Sequence, residues 1–165
     1  MPGTILPKDI VDLATRVIEE NAIAGRKVAV AESCTGGLVS AALTEIPGSS
    51  EVFERGFITY SNEAKQEMLG VASDIIEAFG AVSIACVYAM AQGALERSHA
   101  DVAVAISGIA GPDGGSDMKP VGTVVFARAI RGSDEKDAEQ RIFEETDRAG
   151  VRRHAALVAL ELLLP

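Results

Sequence analysis

Val28-Ala29-Val30-Ala31-Glu32-Ser33-Cys34-Thr35-Gly36-Gly37-Leu38 reads as a buried strand that turns through small polar residues and two glycines. It runs directly into an apolar helix over Leu38 to Ile46. A strand that ends in hydroxyls at a helix start lifts Ser33 or Thr35 above the carboxyl edge of a sheet. It also aims unpaired helix N–H groups at whatever binds there. Such donors suit an anion, or the oxyanion of a tetrahedral intermediate. The plainer reading is that Ser33 and Thr35 only cap the helix, and that Gly36 and Gly37 only let helix and strand pack closely. The stretch is not a GxGxxG fingerprint, it lacks a P-loop lysine, and it is not the G-x-S-x-G elbow.

The same device recurs downstream. Asp101 to Ile106 is a nearly continuous apolar run, as expected of a central strand covered on both faces. It passes into Ser107-Gly108-Ile109-Ala110-Gly111-Pro112-Asp113-Gly114-Gly115. Two strands ending in a hydroxyl and a glycine-rich loop predict a site where the loops meet, at the carboxyl edge of the sheet. Asp113 to Lys119 has the composition of a plain surface loop. Between the two devices, Phe53 to Tyr60 reads as a strand, and Ser61 as the N-cap of a helix that carries Lys65 near its first turn. The helix dipole disfavours a cation there and draws its pKa down, which makes a general base. An ordinary exposed lysine is the plainer reading.

The remaining elements follow from periodicity. Residues 9–24 form an amphipathic helix ended by Gly25, Ser73 to Phe79 a short helix, and Val82 to Ser98 a longer one, with Cys86 and Tyr88 as core or flank residues. Val121 to Ile130 is a strand, Arg131 to Asp134 a turn, and Arg141 to Glu145 an antiparallel return, leaving Asp137 to Glu139 as a solvated charge run. The last helix begins near Asp147 and carries Arg148, Arg152, Arg153 and His154 in its first turns. Either Glu144 and Glu145 neutralise this cluster, or one or two of its arginines hold a phosphate. The pattern predicts one α/β domain over residues 1–165, a three-layer α/β/α sandwich on a mixed, mainly parallel sheet of about five strands.

Composition narrows the function. With 165 residues, 48% of them hydrophobic and no Trp, the core is Ala, Val, Ile and Leu. A net charge of −9 argues against a nucleic-acid partner, but leaves room for a small anion held by local cations. Cys34 and Cys86 match no zinc or CxxC spacing, and His99 and His154 are the only histidines, so no metal or other cofactor is expected. There is no membrane-length apolar run, and Met1 to Lys8 carries no signal pattern, so a cytoplasmic protein without a membrane partner is expected. Small size and Ala-rich helices are compatible with a homodimer.

Several passages together carry a resemblance: Ala31 to Gly37, Ile46-Pro47-Gly48-Ser49-Ser50, Gly56 through Tyr60 to Lys65, Ser107 to Pro112, and Gly122-Thr123-Val124. Over residues 8–164 the chain resembles the C-terminal domain of the CinA (competence/damage-inducible protein) family, in particular its stand-alone nicotinamide-nucleotide amidohydrolase form. The resemblance implies hydrolysis of the carboxamide of nicotinamide mononucleotide to nicotinate mononucleotide and ammonia, by a Ser/Lys mechanism without metal, in pyridine-nucleotide salvage. It implies Ser33 as nucleophile, Lys65 as its base, Tyr60 in the proton relay, and a serine of the Gly48 to Ser50 loop, Ser50 before Ser49, at the oxyanion. Thr35, Gly36, Gly37, Ser107, Gly108, Gly111, Arg148 and Arg152 would line the substrate site, with either arginine as the substrate contact. Family members often have Thr where Ser107 stands, and Gly-Asp-Arg where this chain has Thr146-Asp147-Arg148. The family's large N-terminal domain has no counterpart in these residues, so its separate hydrolase activity is not expected.

Two other readings make different predictions. Cys34, at a helix start, would be a thiolate nucleophile of lowered pKa. Alternatively, the domain would be a non-catalytic nucleotide-binding or protein-interaction module, for which loss of Ser33 or Lys65 would be the sign, and both are present.

Overall fold

Two strands of alternating sequence set the layers. In the computed structural model, which describes residues 3–144 and 146–165, β1 (Val28–Glu32) and β3 (Val102–Gly108) pair in parallel, Val28 opposite Val102 through Glu32 opposite Ile106. Successive strand side chains point to opposite faces. Val28, Val30, Val102, Val104 and Ile106 therefore enter one core, while Ala29, Ala31, Ala103 and Ala105 enter the other. β2 (Phe53–Ile58) adds in parallel on the far side of β1. β4 (Thr123–Ile130) and β5 (Asp137–Ile142) add antiparallel beyond β3, which gives the order β2-β1-β3-β4-β5.

The valine face is covered by α1 (Lys8–Ala24), α2 (Leu38–Thr44) and α6 (Arg148–Leu162). The alanine face takes α3 (Asn62–Leu69), α4 (Ser73–Phe79) and α5 (Ile84–Glu96). Small residues on that face bring α5 close to the sheet. Gly93 continues the pattern on the far side of α5, because a Cβ there would run into the carbonyl of Leu69 at the end of α3. The sheet thus fixes α5, and α5 fixes the helix that carries Lys65. At the far end of α1, buried Asn21 donates to the Leu163 carbonyl at 2.9 Å and accepts from Arg26, tying α1 to the end of α6.

Two expectations need correction. β3 runs on through Ser107 to Gly108, because both residues still pair with β4 opposite Val125 and Val124. β5 begins at Asp137, so the charged residues read as a solvated run form the outer strand. An edge strand tolerates charge on its open side, and Asp137 is further held by Arg128 at 2.7 Å. Glu145, read as the end of that strand and as a partner of the arginine cluster, lies outside the described residues.

The connections decide where a ligand can sit. From β1 the chain turns through α2 to β2 on one side, and from β2 it crosses over α3, α4 and α5 to β3 on the other. Connections that leave the strand ends in opposite directions open a crevice at the carboxyl edge.

Candidate active site

Ser33 leaves β1 at that crevice, its amide still bonded to the Ile106 carbonyl at 3.0 Å. It continues the alternation of β1, so its side chain lies on the alanine face, on the side of α3. Ser61 caps α3 by accepting the Ala64 N–H at 3.0 Å, which sets Lys65 one turn into the helix. The Lys65 side chain runs inward and is only 1% exposed. Its Nζ lies 3.1 Å from Ser33 Oγ, 3.0 Å from the Thr59 carbonyl and 3.2 Å from the Tyr60 carbonyl. Burial pushes the Lys65 ammonium below its ordinary value, against a smaller opposing influence of the Cys86 and Cys34 sulfurs.

These contacts serve either protonation state of the amine. Carbonyl oxygens only accept, so they take the two N–H groups of an uncharged lysine. As an ammonium Nζ donates to Ser33 Oγ as well; as an amine it turns its lone pair to the Ser33 hydroxyl. The arrangement puts a hydroxyl within hydrogen-bond reach of a buried amine, the contact that a nucleophile and its general base need.

Around this pair lies a cavity of about 190 Å³, lined by Ser33, Lys65, Cys34, Tyr60, Asn62, Ala81, Val82, Ser107, Gly108, Ala110 and Arg148. Ser107 is 1% exposed and donates its hydroxyl to the Ala81 carbonyl at 2.9 Å, so it ties β3 to the wall formed between α4 and α5. Gly108 is held bare by its neighbours, since a Cβ would meet Val124, the Thr123 carbonyl and Cys34 Sγ. Arg148 donates to the Gly111 carbonyl at 2.6 Å and to the Tyr60 hydroxyl at 3.2 Å. Gly111 therefore sits behind Arg148, outside the cavity wall.

The other expected residues are elsewhere. Ser50 lies in the short 3₁₀ turn Ser49–Glu51 just before β2, where the Val28 N–H meets the Val52 carbonyl. That is the amino edge of the sheet, a full strand length from Ser33. A parallel crossover must return the chain to that edge, so within this chain Ser50 cannot serve the oxyanion. Thr35 is fully buried, its hydroxyl without a partner among the described residues. Gly36 faces Arg152 and Gly37 faces Ile58, both away from the cavity. Arg152 donates to the Cys34 and Thr35 carbonyls at 3.1 and 3.2 Å instead of entering the cavity. Arg153 pairs with Asp9 on α1 at 2.7 Å, and His154 packs edge-on to Phe143.

The start of α2 differs most from expectation. Its Val39 and Ser40 N–H groups are taken by the buried Glu32 carboxylate, not offered to a ligand. Cys34 corrects another expectation. It is 6% exposed, and burial pushes its thiol up to about 11, with the Glu32 carboxylate acting in the same direction. The helix start therefore does not create a reactive thiolate. Sequence reading missed Asn62, Ala81, Val82 and Ala110 in the wall. Asn62 had a signal, since it lies inside the Tyr60 to Lys65 passage. The two residues between α4 and α5 had none. Among the described residues no three His, Cys, Asp or Glu side chains gather as a metal site, and no helix is long and apolar enough to cross a membrane.

Fold and site together define an α/β/α domain that brings a serine hydroxyl and a buried amine to the switch point of its sheet. The chain belongs to the CinA C-terminal domain family, whose profile matches residues 10–165. It is 49% identical over 155 residues to a protein of Escherichia coli K12 named nicotinamide-nucleotide amidohydrolase PncC, covering 94% of this chain and 93% of that protein. It is 53% identical over 138 residues to a CinA-like protein of Akkermansia muciniphila, covering 84% of this chain but 33% of that protein. The chain thus spans about a third of the length of such longer relatives. The crystal structure of the competence/damage inducible protein CihA from Agrobacterium tumefaciens superposes with a TM-score of 0.94 at 46% identity, covering 98% of this chain and 97% of that one.

Proposed function

We propose that this chain hydrolyses the carboxamide of nicotinamide mononucleotide to nicotinate mononucleotide and ammonia, as a serine–lysine amidase of pyridine-nucleotide salvage. One observation carries the proposal: the 3.1 Å contact between Ser33 Oγ and the buried Lys65 Nζ at the cavity wall. The name of the full-length Escherichia coli relative supports the substrate.

In this reading neutral Lys65 takes the Ser33 proton as Oγ attacks the carboxamide carbon. Carbonyl oxygen becomes the oxyanion, and the Cys34 N–H beside the nucleophile is the available donor, since no other backbone carbonyl among the described residues takes it. Collapse breaks the C–N bond, and the Lys65 ammonium returns its proton to the leaving amine, which departs as ammonia. Water then attacks the Ser33 ester, with Lys65 again the base, and releases the carboxylate and the free serine. Arg148 spends two N–H groups on Gly111 and Tyr60, which leaves three of its five for the 5′-phosphate. The exposed Tyr60 phenol beside it faces the substrate. A net charge of −9 fits a small nucleotide better than a nucleic acid, and a cytoplasmic location goes with this reading.

Incubation of the purified protein with nicotinamide mononucleotide, following ammonia and nicotinate mononucleotide together, tests the reading. Equimolar release that disappears in Ser33→Ala supports it. Binding without release would favour a non-catalytic module, and release undiminished in Ser33→Ala would remove the nucleophile.

A further inference from the structure

We propose that Glu32 and Arg152 are positioning residues for Ser33 that grip the turn after it from opposite ends. The inference rests on Ser33 as the nucleophile.

Glu32 immediately precedes Ser33 but points to the valine face, under α2, and is fully buried. Its Oε1 accepts the Val39 N–H at 2.9 Å, and its Oε2 accepts the Ser40 N–H at 3.0 Å and the Ser40 hydroxyl at 2.7 Å. A buried carboxylate is costly unless donors satisfy it. Here the donors are the start of a helix, where negative charge is favoured. Gly37, the N-cap of α2, has no side chain to do this work. The residue before the nucleophile is thereby tied to the helix after it, and the turn between them is closed at fixed length.

Arg152 grips the same turn from α6. Its Nε donates to the Cys34 carbonyl and its Nη2 to the Thr35 carbonyl. Gly36, at φ +58°, supplies the left-handed conformation of this turn, and Arg152 Nη2 lies within ordinary contact distance of it. The Gly36 N–H donates to the Ser33 carbonyl at 3.0 Å. The three peptide planes after Ser33 are thus all held through their carbonyls, two by Arg152 and the first by the Gly36 N–H. A planar trans peptide points its N–H opposite its carbonyl, so the hold on the Thr35 carbonyl aims the Gly36 N–H, and that N–H, by holding the Ser33 carbonyl, sets the direction of the Cys34 N–H. Arg152 is absent from the cavity wall, as a positioning residue should be.

Misplacing a reacting group by about 1 Å costs roughly 10²-fold in rate, and that is the loss expected in kcat of Glu32→Gln and Arg152→Met. The test compares these variants, Ser40→Ala, and Arg153→Ala as a control whose partner is Asp9. Turnover of nicotinamide mononucleotide is read beside the calorimetric affinity for nicotinate mononucleotide. The rate at which a small sulfonyl fluoride labels Ser33 is read by peptide mass spectrometry. Turnover and labelling should fall together in Glu32→Gln and Arg152→Met, with product affinity within about twofold, a smaller loss in Ser40→Ala, and none in Arg153→Ala. Loss of product affinity in Arg152→Met with unchanged labelling would make Arg152 a phosphate contact and overturn the proposal, as would wild-type rates in both main variants. If Glu32→Gln fails to fold, Ser40→Ala and Arg152→Met decide. If the wild type labels at Ser33 but spares nicotinamide mononucleotide, the substrate reading fails and labelling alone judges the grip. If Ser33 neither labels nor turns over substrate, the grip falls with the nucleophile.

Discussion

Replacing Lys65 with Met separates catalysis from stability. Methionine follows lysine as far as Cε and fits the buried channel, but it lacks the Nζ that meets Ser33, Thr59 and Tyr60. Loss of the general base should lower kcat by about 10³-fold, or about 4 kcal/mol of barrier. Stability should respond through a different route. Burial lowers the Lys65 pKa from the ordinary 10.5, so the folded chain holds a neutral amine at pH values where the unfolded chain is still protonated. Stability therefore rises with pH between the folded pKa and 10.5, by up to about 1.4 kcal/mol per unit, and is lost as pH falls through that window. Lys65→Met lacks this slope. Urea unfolding followed by circular dichroism from neutral pH to pH about 10 should show the stability difference, variant minus wild type, shrinking as pH rises. Each freed carbonyl costs about 1–3 kcal/mol if no water reaches it, but that cost does not vary with pH. Parallel pH profiles of the two proteins, or turnover within tenfold of wild type, would refute both the burial argument and the base.

Cys34→Ala should keep kcat within a few-fold, because a thiol with a pKa of about 11 is almost wholly protonated at neutral pH; steady-state turnover checks it, and a loss beyond a hundredfold would restore the cysteine. Arg148→Met should raise KM for nicotinamide mononucleotide by roughly tenfold or more, as loss of a charge-assisted phosphate contact predicts, and leave the affinity for the riboside, which lacks the phosphate, unchanged. Gly93→Ala should destabilise by about 1–3 kcal/mol as an overpacked contact, since its Cβ would strike the Leu69 carbonyl, and thermal melts read the loss. Arg153→Ala should cost no more than about 1 kcal/mol, because the Asp9 pair it breaks is solvent-screened.

The layers were legible because Val28-Ala29-Val30-Ala31 and Val102-Ala103-Val104-Ala105 each alternate large and small residues, so one face takes helices at ordinary distance and the other takes α5 close in. The serine at the end of β1 and the lysine one turn into α3 were legible for a related reason. A strand end and an N-cap fix where those residues begin, and the crossovers bring both to one edge. What was hidden is contact that no local pattern encodes. Capping motifs read from residues at the helix start, whereas α2 is capped by Glu32 from the preceding strand, so its N–H groups looked free for a ligand. Arg152 and Arg148 sit one turn apart on α6, yet one reaches back to the turn after Ser33 and the other to Tyr60 and Gly111. Sequence spacing could not assign them. Ser50 is set apart from Ser33 within the chain for a different reason, because a β1-α2-β2 crossover already dictates that residues just before β2 lie at the amino edge.

The most direct measurement is acid-quenching of the protein during turnover of nicotinamide mononucleotide, followed by peptide mass spectrometry across Val28 to Leu38. The account predicts an acyl adduct on Ser33 that disappears when substrate is exhausted and never forms in Lys65→Met. Turnover with the adduct on Cys34 would contradict it, as would turnover with no adduct under conditions that preserve a serine ester.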